Sequence, residues 1–335
     1  MTIPPTPVHR HPFTEPSAWV SSDFGDLATL ARQLPASVLS EIDQCLVAAR
    51  GQSEALADLA DDAFEGPALS GFAQSLREEL LTGRGLVLLR GVPMDRYPRD
   101  EAAMLYWGIG SALGPTVPQN AKGERLYSVR DEGYRIAEDY GATGVRYSKT
   151  TESFNFHTDS APILTTVTPD VIGLFAMQTA KSGGESVLIS AKAVHNALLT
   201  EHPKALEQLY RPVHHDRTAE WKPGQARTLF APVFRFDRDL EMRYMRFYIE
   251  QGHEKAGVPL TPEQTVAFDC LDSVMSRTEL QLRFALAAGD ILLINNHFVL
   301  HSRTAFEDHP ELDRRRHYAR MWMNLEAVEA ISEGA

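Results

Sequence analysis

Apolar positions in the first third of the chain recur at the 3.6-residue spacing of helices that pack one face against a core. In "PASVLSEIDQCLVAARGQ", Val38, Leu39, Ile42, Leu46 and Val47 fall on one stripe. Leu69, Phe72, Leu76 and Leu80 make a second stripe across 66–82, which stops at Gly83. "GLVLLRGVP" follows, a short apolar run bounded by glycines that predicts a buried strand. A third helix, over 99–113, ends at Gly114-Pro115. Ahead of all three, residues 1–35 are rich in proline and polar side chains and predict an extended segment over the surface.

From residue 125 the pattern changes to short strands. "DVIGLFAMQ" (170–178), "ESVLIS" (185–190), "TLFAPVF" (228–234), "LQLRFAL" (280–286) and "DILLINN" (290–296) are the candidates. "LQLRFAL" alternates cleanly and predicts one buried face. Two helices interrupt the strands. One follows Ser190 as N-cap; the other is "TPEQTVAFDCLDSVMSR", where Thr261, Pro262 and Gln264 supply a cap, a first-turn proline and a capping-box partner.

Helices first and then many strands, without regular β–α alternation, argue against a doubly wound sheet. They predict a mainly β fold with flanking helices, built on a double-stranded β-helix (jelly-roll) core. The expected organisation is a single domain over 1–335: an extended segment to 35, a helical and strand lead-in over 36–115, and the jelly roll with helical insertions over 116–325. The sequence holds no internal repeat and no low-complexity linker. It also lacks GxGxxG after a strand, GxxxxGK[ST], GxSxG and HExxH, which removes the usual supports for nucleotide binding, hydrolase elbows and zincin chemistry.

Bulk properties narrow the setting. A 335-residue chain with 43% hydrophobic and 23% charged residues is ordinary for a soluble globular protein. A net charge of -12 opposes nucleic-acid binding, which needs a basic stripe, and adsorption to anionic membranes. Cys45 and Cys270 read as two buried free thiols, and without a CxxC pair a thiolate zinc site is excluded. The N-terminus "MTIPPTPVHRHPFTEP" lacks the apolar run of a signal peptide, and no apolar stretch approaches the ~20 residues that span a bilayer. The cytoplasm is the expected location, a small molecule the expected partner, and a homo-oligomer is compatible with the chain.

Candidate chemistry centres on "ESFNFHTDSAP" (152–162). Residues i and i+2 of a strand share a face, so His157 and Asp159 can aim at one point. An imidazole and a carboxylate suit a borderline divalent ion, and one further histidine completes a facial triad of the non-haem iron type. Twelve histidines are available. His9 and His11 lie in the N-terminal segment; His195, His202 and His253 sit in helix-like surface patterns; His214 and His215 precede a loop. His301 stands apart, because in "AAGDILLINNHFVLHSRTAF" a Gly-Asp turn feeds an apolar strand that runs through to it. His297, four residues earlier and within the Asn-Asn turn, is the runner-up. Downstream, even spacing puts Arg316 and Arg320 on one face of "RHYARMWMN", where an arginine can grip a carboxylate bidentately.

With these residues assembled, the chain resembles the taurine dioxygenase / clavaminate synthase-like superfamily of Fe(II)/2-oxoglutarate-dependent oxygenases. The resemblance spans roughly residues 84 to 325, with "GLVLLRGVPM", "GSALGPTVPQN", "FHTDSAP", "AKSGGESVLIS" and "GDILLINNHFVLHSRTAFED" in family order. It implies His157, Asp159 and His301 as iron ligands and Arg316 as the partner of the distal carboxylate of 2-oxoglutarate. Arg316 is chosen from the run Arg314–Arg316 because its spacing to Arg320 is the family's. Ser186 matches a family hydroxyl that touches the same co-substrate, and Arg320 a second arginine near its other carboxylate or the substrate.

The implied reaction consumes O2 and 2-oxoglutarate at Fe(II), releases succinate and CO2, and hydroxylates or desaturates an unactivated C–H bond. Asp159 favours these outcomes over halogenation, in which the carboxylate is usually missing. The expected substrate is a small polar one, amino-acid-like or another carboxylate. Arg146, Tyr147 and Lys149, which lead into the metal motif, and Arg243 and Arg246 in "EMRYMRFYIEQ" are candidates to meet it. The alternatives are a cupin-like metal-dependent lyase or hydrolase that does not use 2-oxoglutarate, with Arg316 structural, and a catalytically silent metal- or ligand-binding protein on the same fold.

Overall fold

A computed structural model describes residues 2–14, 16–25, 30–49, 64–120, 122–143, 145–159, 168–218 and 224–325. The chain opens with β1 (Ala31–Gln33), α1 (Ala36–Ala49), α2 (Pro67–Thr82), β2 (Leu86–Arg90) and α3 (Arg99–Leu113). Next come β3 (Thr116–Val117), β4 (Leu126–Val129), α4 (Ile136–Thr143), β5 (Phe154–His157), β6 (Val171–Gln178) and β7 (Ser186–Ser190). Helices α5 (Ala191–Glu201), α6 (Pro203–Leu209), α7 (Arg246–Ala256) and α8 (Pro262–Met275) precede β8 (Gln281–Phe284), β9 (Ile291–Asn295), β10 (Val299–Arg303) and β11 (His317–Met323).

These strands form two principal sheets. One runs β1-β2-β9-β6-β11-β3, with β4 also paired to β11; the other runs β8-β7-β10-β5. The alternation of β9 shows how the layers stack. Leu292 and Ile294 join Leu88, Ile172, Leu188, Leu300 and Trp322 in the core between the sheets. Ile291 and Leu293 point the other way, to Val87, Leu89, Phe175 and Met321, where Ile42, Leu76 and Tyr106 of α1–α3 close the outer face. Both faces of β9 are covered, which is why it reads as a continuous apolar run. Arg90 of β2 grips the buried Asp290 with Nε and Nη2, each at 3.0 Å, and fixes the start of β9 beside it. This is the jelly-roll architecture, with helices outside.

The helix signals act as read. Ser190 accepts from the amide of Ala193, and Thr261 and Gln264 form the reciprocal capping box. Several expectations need correction. The N-terminal segment does not merely cross the surface: Phe13, Trp19 and Phe24 are buried in the main core, and β1 pairs with β2. "TLFAPVF" splits into two strands, Thr228–Ala231 and Phe234–Phe236, since Pro232 cannot continue a ladder. Cys45 and Cys270 are free but only partly buried. His195, His215 and His253 are interior rather than surface residues. Among the described residues, no helix is long and apolar enough to cross a membrane.

Candidate active site

The run from the Gly289-Asp290 turn to His301 is two strands, not one. β9 ends at Asn295, the chain turns over 296–298, and β10 continues in the opposite sheet. The turn is built by asparagines. Asn295 caps the amide of His297 and donates to the carbonyl of Leu80, while the fully buried Asn296 donates to the carbonyls of Asp159 (2.6 Å) and Pro169 (3.1 Å). β10 then pairs with β5, with His301 directly opposite His157. Opposed residues share a face, so the two imidazoles meet, with ring centroids 4.0 Å apart. His297, the runner-up, stays in the turn and bonds Asp170 at 2.7 Å.

β5 ends at His157, so strand parity alone does not aim Asp159. Asn296 does: it accepts from the Asp159 amide at 2.8 Å and donates to its carbonyl. Thr158 between them is tied to Tyr244 by two hydrogen bonds, its amide donating to the carbonyl and its hydroxyl accepting from the amide. One oxygen of Asp159 is committed, since Oδ2 accepts from Trp322 Nε1 and from Arg320 Nη1, both at 2.9 Å. The other, Oδ1, lies 3.6 Å from His157 Nε2. His157 Nδ1 is bonded to the Asn155 carbonyl at 2.9 Å, which assigns it the proton and leaves Nε2 as the lone-pair nitrogen.

One ligand atom from each of His157, Asp159 and His301 fits within 4.8 Å of the others, and all three residues are buried. Burial opposes ionisation of Asp159, but Arg320, His157 and His301 outweigh it and hold the carboxyl well below its usual range. Burial, then the neighbouring His157, pushes His301 down to about 3, so its imidazole is neutral at pH 7. His301 Nδ1 is buried with no hydrogen-bond partner among the described residues. A carboxylate, a neutral imidazole and a second imidazole with a directed lone pair suit a divalent ion of the iron type, and the orphaned Nδ1 shows that the cluster does not satisfy itself.

Two cavities meet at this cluster and share Ser148, Phe154, His157 and Arg320. The first is walled by Val129, Leu174, Leu188 and Leu292 and ends at Ser186, Arg303 and Arg316. Ser186 arrives there after Gly183 and Gly184, both at φ +72°; a Cβ on Gly183 would stand 2.4 Å from the carbonyl oxygen of Ala305. Arg316 is 4% exposed, lies 3.6 Å over the Tyr318 ring, and leaves Nε and Nη1 without partners. Burial lowers its pKa.

The second cavity is lined by Arg146, Tyr147, Met245, Tyr248 and Trp322. Tyr147 stacks on Phe154 at 4.4 Å, and Arg146 donates to the carbonyl of Gln119 at 3.0 Å. Burial, chiefly, raises the Tyr248 hydroxyl well above its usual value.

The expected site residues therefore divide. His157, Asp159, His301, Ser186, Arg316, Arg320, Arg146 and Tyr147 converge on the two cavities. Arg320 is already engaged by the protein at two nitrogens, Nε with Gln119 at 2.7 Å and Nη1 with Asp159 at 2.9 Å. Lys149 pairs with Glu132, and Arg246 with Glu250, Asp269 and Asp272. Arg243 lines a separate cavity beside His297 and bonds Thr168 at 2.5 Å. Lys149, Arg243 and Arg246 thus line neither cavity of the cluster. Ser160 of the metal motif lies outside the described residues. Sequence reasoning missed Arg303 and Tyr248. Arg303 had a signal, since it stands two residues after His301 on the same strand face; Tyr248 had none.

Comparison with known proteins agrees with this geometry. The sequence model described as "Taurine catabolism dioxygenase TauD, TfdA family" matches residues 54–322. The FR-33289 synthase of Streptomyces rubellomurinus is 28% identical over 321 residues, covering 95% of this chain and 91% of that protein. A taurine hydroxylase-like protein of Stachybotrys chartarum is 26% identical, covering 91% and 77%. In fold, the chain is similar to an asparagine oxygenase solved with Fe(II), 2S,3S-3-hydroxyasparagine and succinate, at TM-score 0.66 and 18% identity over 88% of this chain and 94% of that one. It is also similar to the non-heme iron oxygenase OrfP, solved with Fe and alpha-ketoglutaric acid, at TM-score 0.61 and 17% identity with the same coverage. The chain belongs to the TauD/TfdA family and is a dioxygenase that uses Fe(II), 2-oxoglutarate and O2.

Proposed function

We propose that the enzyme hydroxylates a small polar, amino-acid-like or other carboxylate substrate, with iron held by His157, Asp159 and His301 and the distal carboxylate of 2-oxoglutarate held by Arg316 and Ser186. The observation that carries this reading is Arg316: a buried guanidinium with unpartnered Nε and Nη1, at the end of an apolar cavity that begins at His157 and His301. A buried charge without a directly paired counterion costs up to several kcal/mol. Asp308 is near, but among the described residues its carboxylate accepts only from the Arg316 amide, and a carboxylate delivered from outside offsets the cost. Ser186 supplies a hydroxyl donor beside it.

When bound, iron with 2-oxoglutarate and O2 supplies the oxidising power that breaks the substrate C–H bond, with release of succinate and CO2. The chain's own groups position and exclude. Asn155 fixes the His157 tautomer; Asn296, Arg320 and Trp322 fix the Asp159 carboxylate. Arg320 therefore orients a metal ligand from the edge that borders both cavities. Leu174, Leu188 and Leu292 keep water from the co-substrate side. The substrate enters the other cavity, where Arg146, Tyr147 and Tyr248 offer a cation and two hydroxyls for an anionic, hydrogen-bonding molecule. The hydroxylated amino acid in the similar asparagine oxygenase structure supports an amino-acid-like substrate. The enzyme acts in the cytoplasm on this reading.

Anaerobic addition of Fe(II) and 2-oxoglutarate tests the site before any substrate is known. A visible charge-transfer band is expected with the wild type and not with Asp159→Ala or His157→Ala. A band that persists undiminished in both variants would place the metal elsewhere.

A further inference from the structure

We propose that Arg303 is a second binding group for the distal carboxylate of the co-substrate, sharing it with Arg316. This rests on the reading of that cavity as the 2-oxoglutarate site. Three independent features carry it.

The first is register. β10 pairs with β7 on one side and β5 on the other, and Arg303 stands directly opposite Ser186 as His301 stands opposite His157. Residues opposed across a ladder share a face, and i and i+2 of one strand do too. His157, His301, Ser186 and Arg303 therefore lie on one surface of the smaller sheet, and Arg316 approaches it from the end of β11 in the other.

The second is charge. Neither Arg303 nor Arg316 forms an ion pair with a carboxylate among the described residues, and Arg303 Nε is buried without a partner. Both guanidiniums pack on the Phe306 ring, at 4.7 Å and 5.2 Å from its centroid. Two cations are held against one ring, and Asp308 acts on both electrostatically but forms an ion pair with neither, so unpartnered guanidinium N–H groups remain for a further carboxylate. A carboxylate has two oxygens and room for donors from both arginines.

The third is preorganisation. Arg303 Nη2 donates to the carbonyls of Thr150 (3.0 Å) and Glu152. Those bonds fix the plane of the guanidinium before any ligand arrives, so little side-chain freedom is lost on binding. They also explain why a cation stays folded inward here instead of reaching water.

The test is calorimetric binding to the Fe(II)-loaded protein without oxygen, using 2-oxoglutarate and 2-oxopentanoate, which carries a methyl in place of the distal carboxylate. Arg303→Leu is expected to weaken 2-oxoglutarate by about 10- to 100-fold, the range of a hydrogen bond to a charged group, and to leave 2-oxopentanoate within about twofold. Arg303→Lys, which keeps the charge, should recover part of the loss. If Arg303→Leu weakens both keto-acids equally, its role is to hold the Thr150–Glu152 backbone, and the proposal falls; it falls also if neither changes. Should Arg303→Leu not fold, as judged by thermal unfolding, Arg303→Lys decides in the same way through its ratio of the two affinities. Arg316→Leu separates the levels. If it abolishes discrimination between the two ligands while the Arg303 variants do not, only Arg303 is reassigned. If it too leaves discrimination intact, this cavity is not the 2-oxoglutarate site.

Discussion

The two cavities that meet at His157 are built from different material. The one ending at Arg316 is made by strands of both sheets: Ser186 and Leu188 from β7, His301 and Arg303 from β10, Leu174 from β6 and Leu292 from β9. The one toward Arg146 is made mostly by connections: the turn Tyr147–Lys149, the residues flanking β5, and the entry to α7 at Met245. A ladder fixes side chains through many cooperative bonds, whereas a loop side chain depends on a few local ones. A shared co-substrate belongs on the rigid side and a variable substrate on the adaptable side, and the charges agree. The first cavity adds two cations, Arg303 and Arg316, that form no ion pair among the described residues, while Arg320, which borders both cavities, is paired with Asp159.

The shared centre gives the largest expected effect. Asp159→Ala should abolish succinate formation, well beyond the roughly 10–100-fold cost of losing an outer partner of a metal ligand. Trp322→Phe, which removes the bond to Oδ2 along with part of the buried indole's packing, should fall inside that range when Fe(II) affinity is measured. Equal losses in the two variants would mean that Asp159 acts through Trp322 and not as a ligand. Next comes Arg316→Leu, expected to weaken 2-oxoglutarate by about 100-fold, since the co-substrate carboxylate would lose one of its two charge partners in a largely apolar cavity. The substrate's own affinity should be little changed, which is what distinguishes the rigid cavity from the adaptable one.

Much of this asymmetry is legible in the sequence, and the illegible part has physical causes. Helical stripes such as Leu69, Phe72, Leu76 and Leu80 are local and carry their own period, and all four side chains are buried in α2. The metal motif, His301 and the paired Arg316 and Arg320 stand out because their residue types are costly to bury without a purpose. The passage from β9 to β10 is hidden, because strands on either side of a sharp turn have the same composition and Phe298 and Val299 stay in the core. The aim of Asp159 is hidden as well, since it depends on Asn296 at 137 positions' separation. Arg303 is hidden although its parity with His301 is visible, because an arginine three residues past Leu300, the strand's last apolar position, reads as solvated. Nothing in "EMRYMRFYIEQ" separates Tyr248, which lines the cavity toward Arg146, from Arg246, which does not. That choice is made by where α7 packs.

The substrate side should respond more weakly and in a different parameter. Tyr248→Phe is expected to raise the KM for the substrate by about 3- to 10-fold, one hydrogen bond's worth, with 2-oxoglutarate affinity unchanged. Because burial raises the Tyr248 hydroxyl well above its usual value, that difference should not titrate between about pH 6 and pH 9. A change in 2-oxoglutarate affinity instead would erase the distinction between the cavities.

The smallest effect is expected where charge is conspicuous but lies off both cavities. Arg246 faces Glu250, Asp269 and Asp272 at 2.6 Å, 3.2 Å and 3.3 Å, and Lys149 faces Glu132 at 2.6 Å. Their acidic partners are between 41% and 63% exposed, so solvent screens each pair and its worth is at most about 1 kcal/mol. Lys149→Ala and Arg246→Ala should leave both substrate KM and 2-oxoglutarate affinity within about twofold while lowering the unfolding midpoint slightly, Arg246 more than Lys149 because it satisfies three carboxylates. A tenfold rise in substrate KM for either would mean that the substrate reaches past Tyr147 to the protein surface. The adaptable side would then extend into the neighbouring chamber lined by Glu152, Asn155 and Arg246.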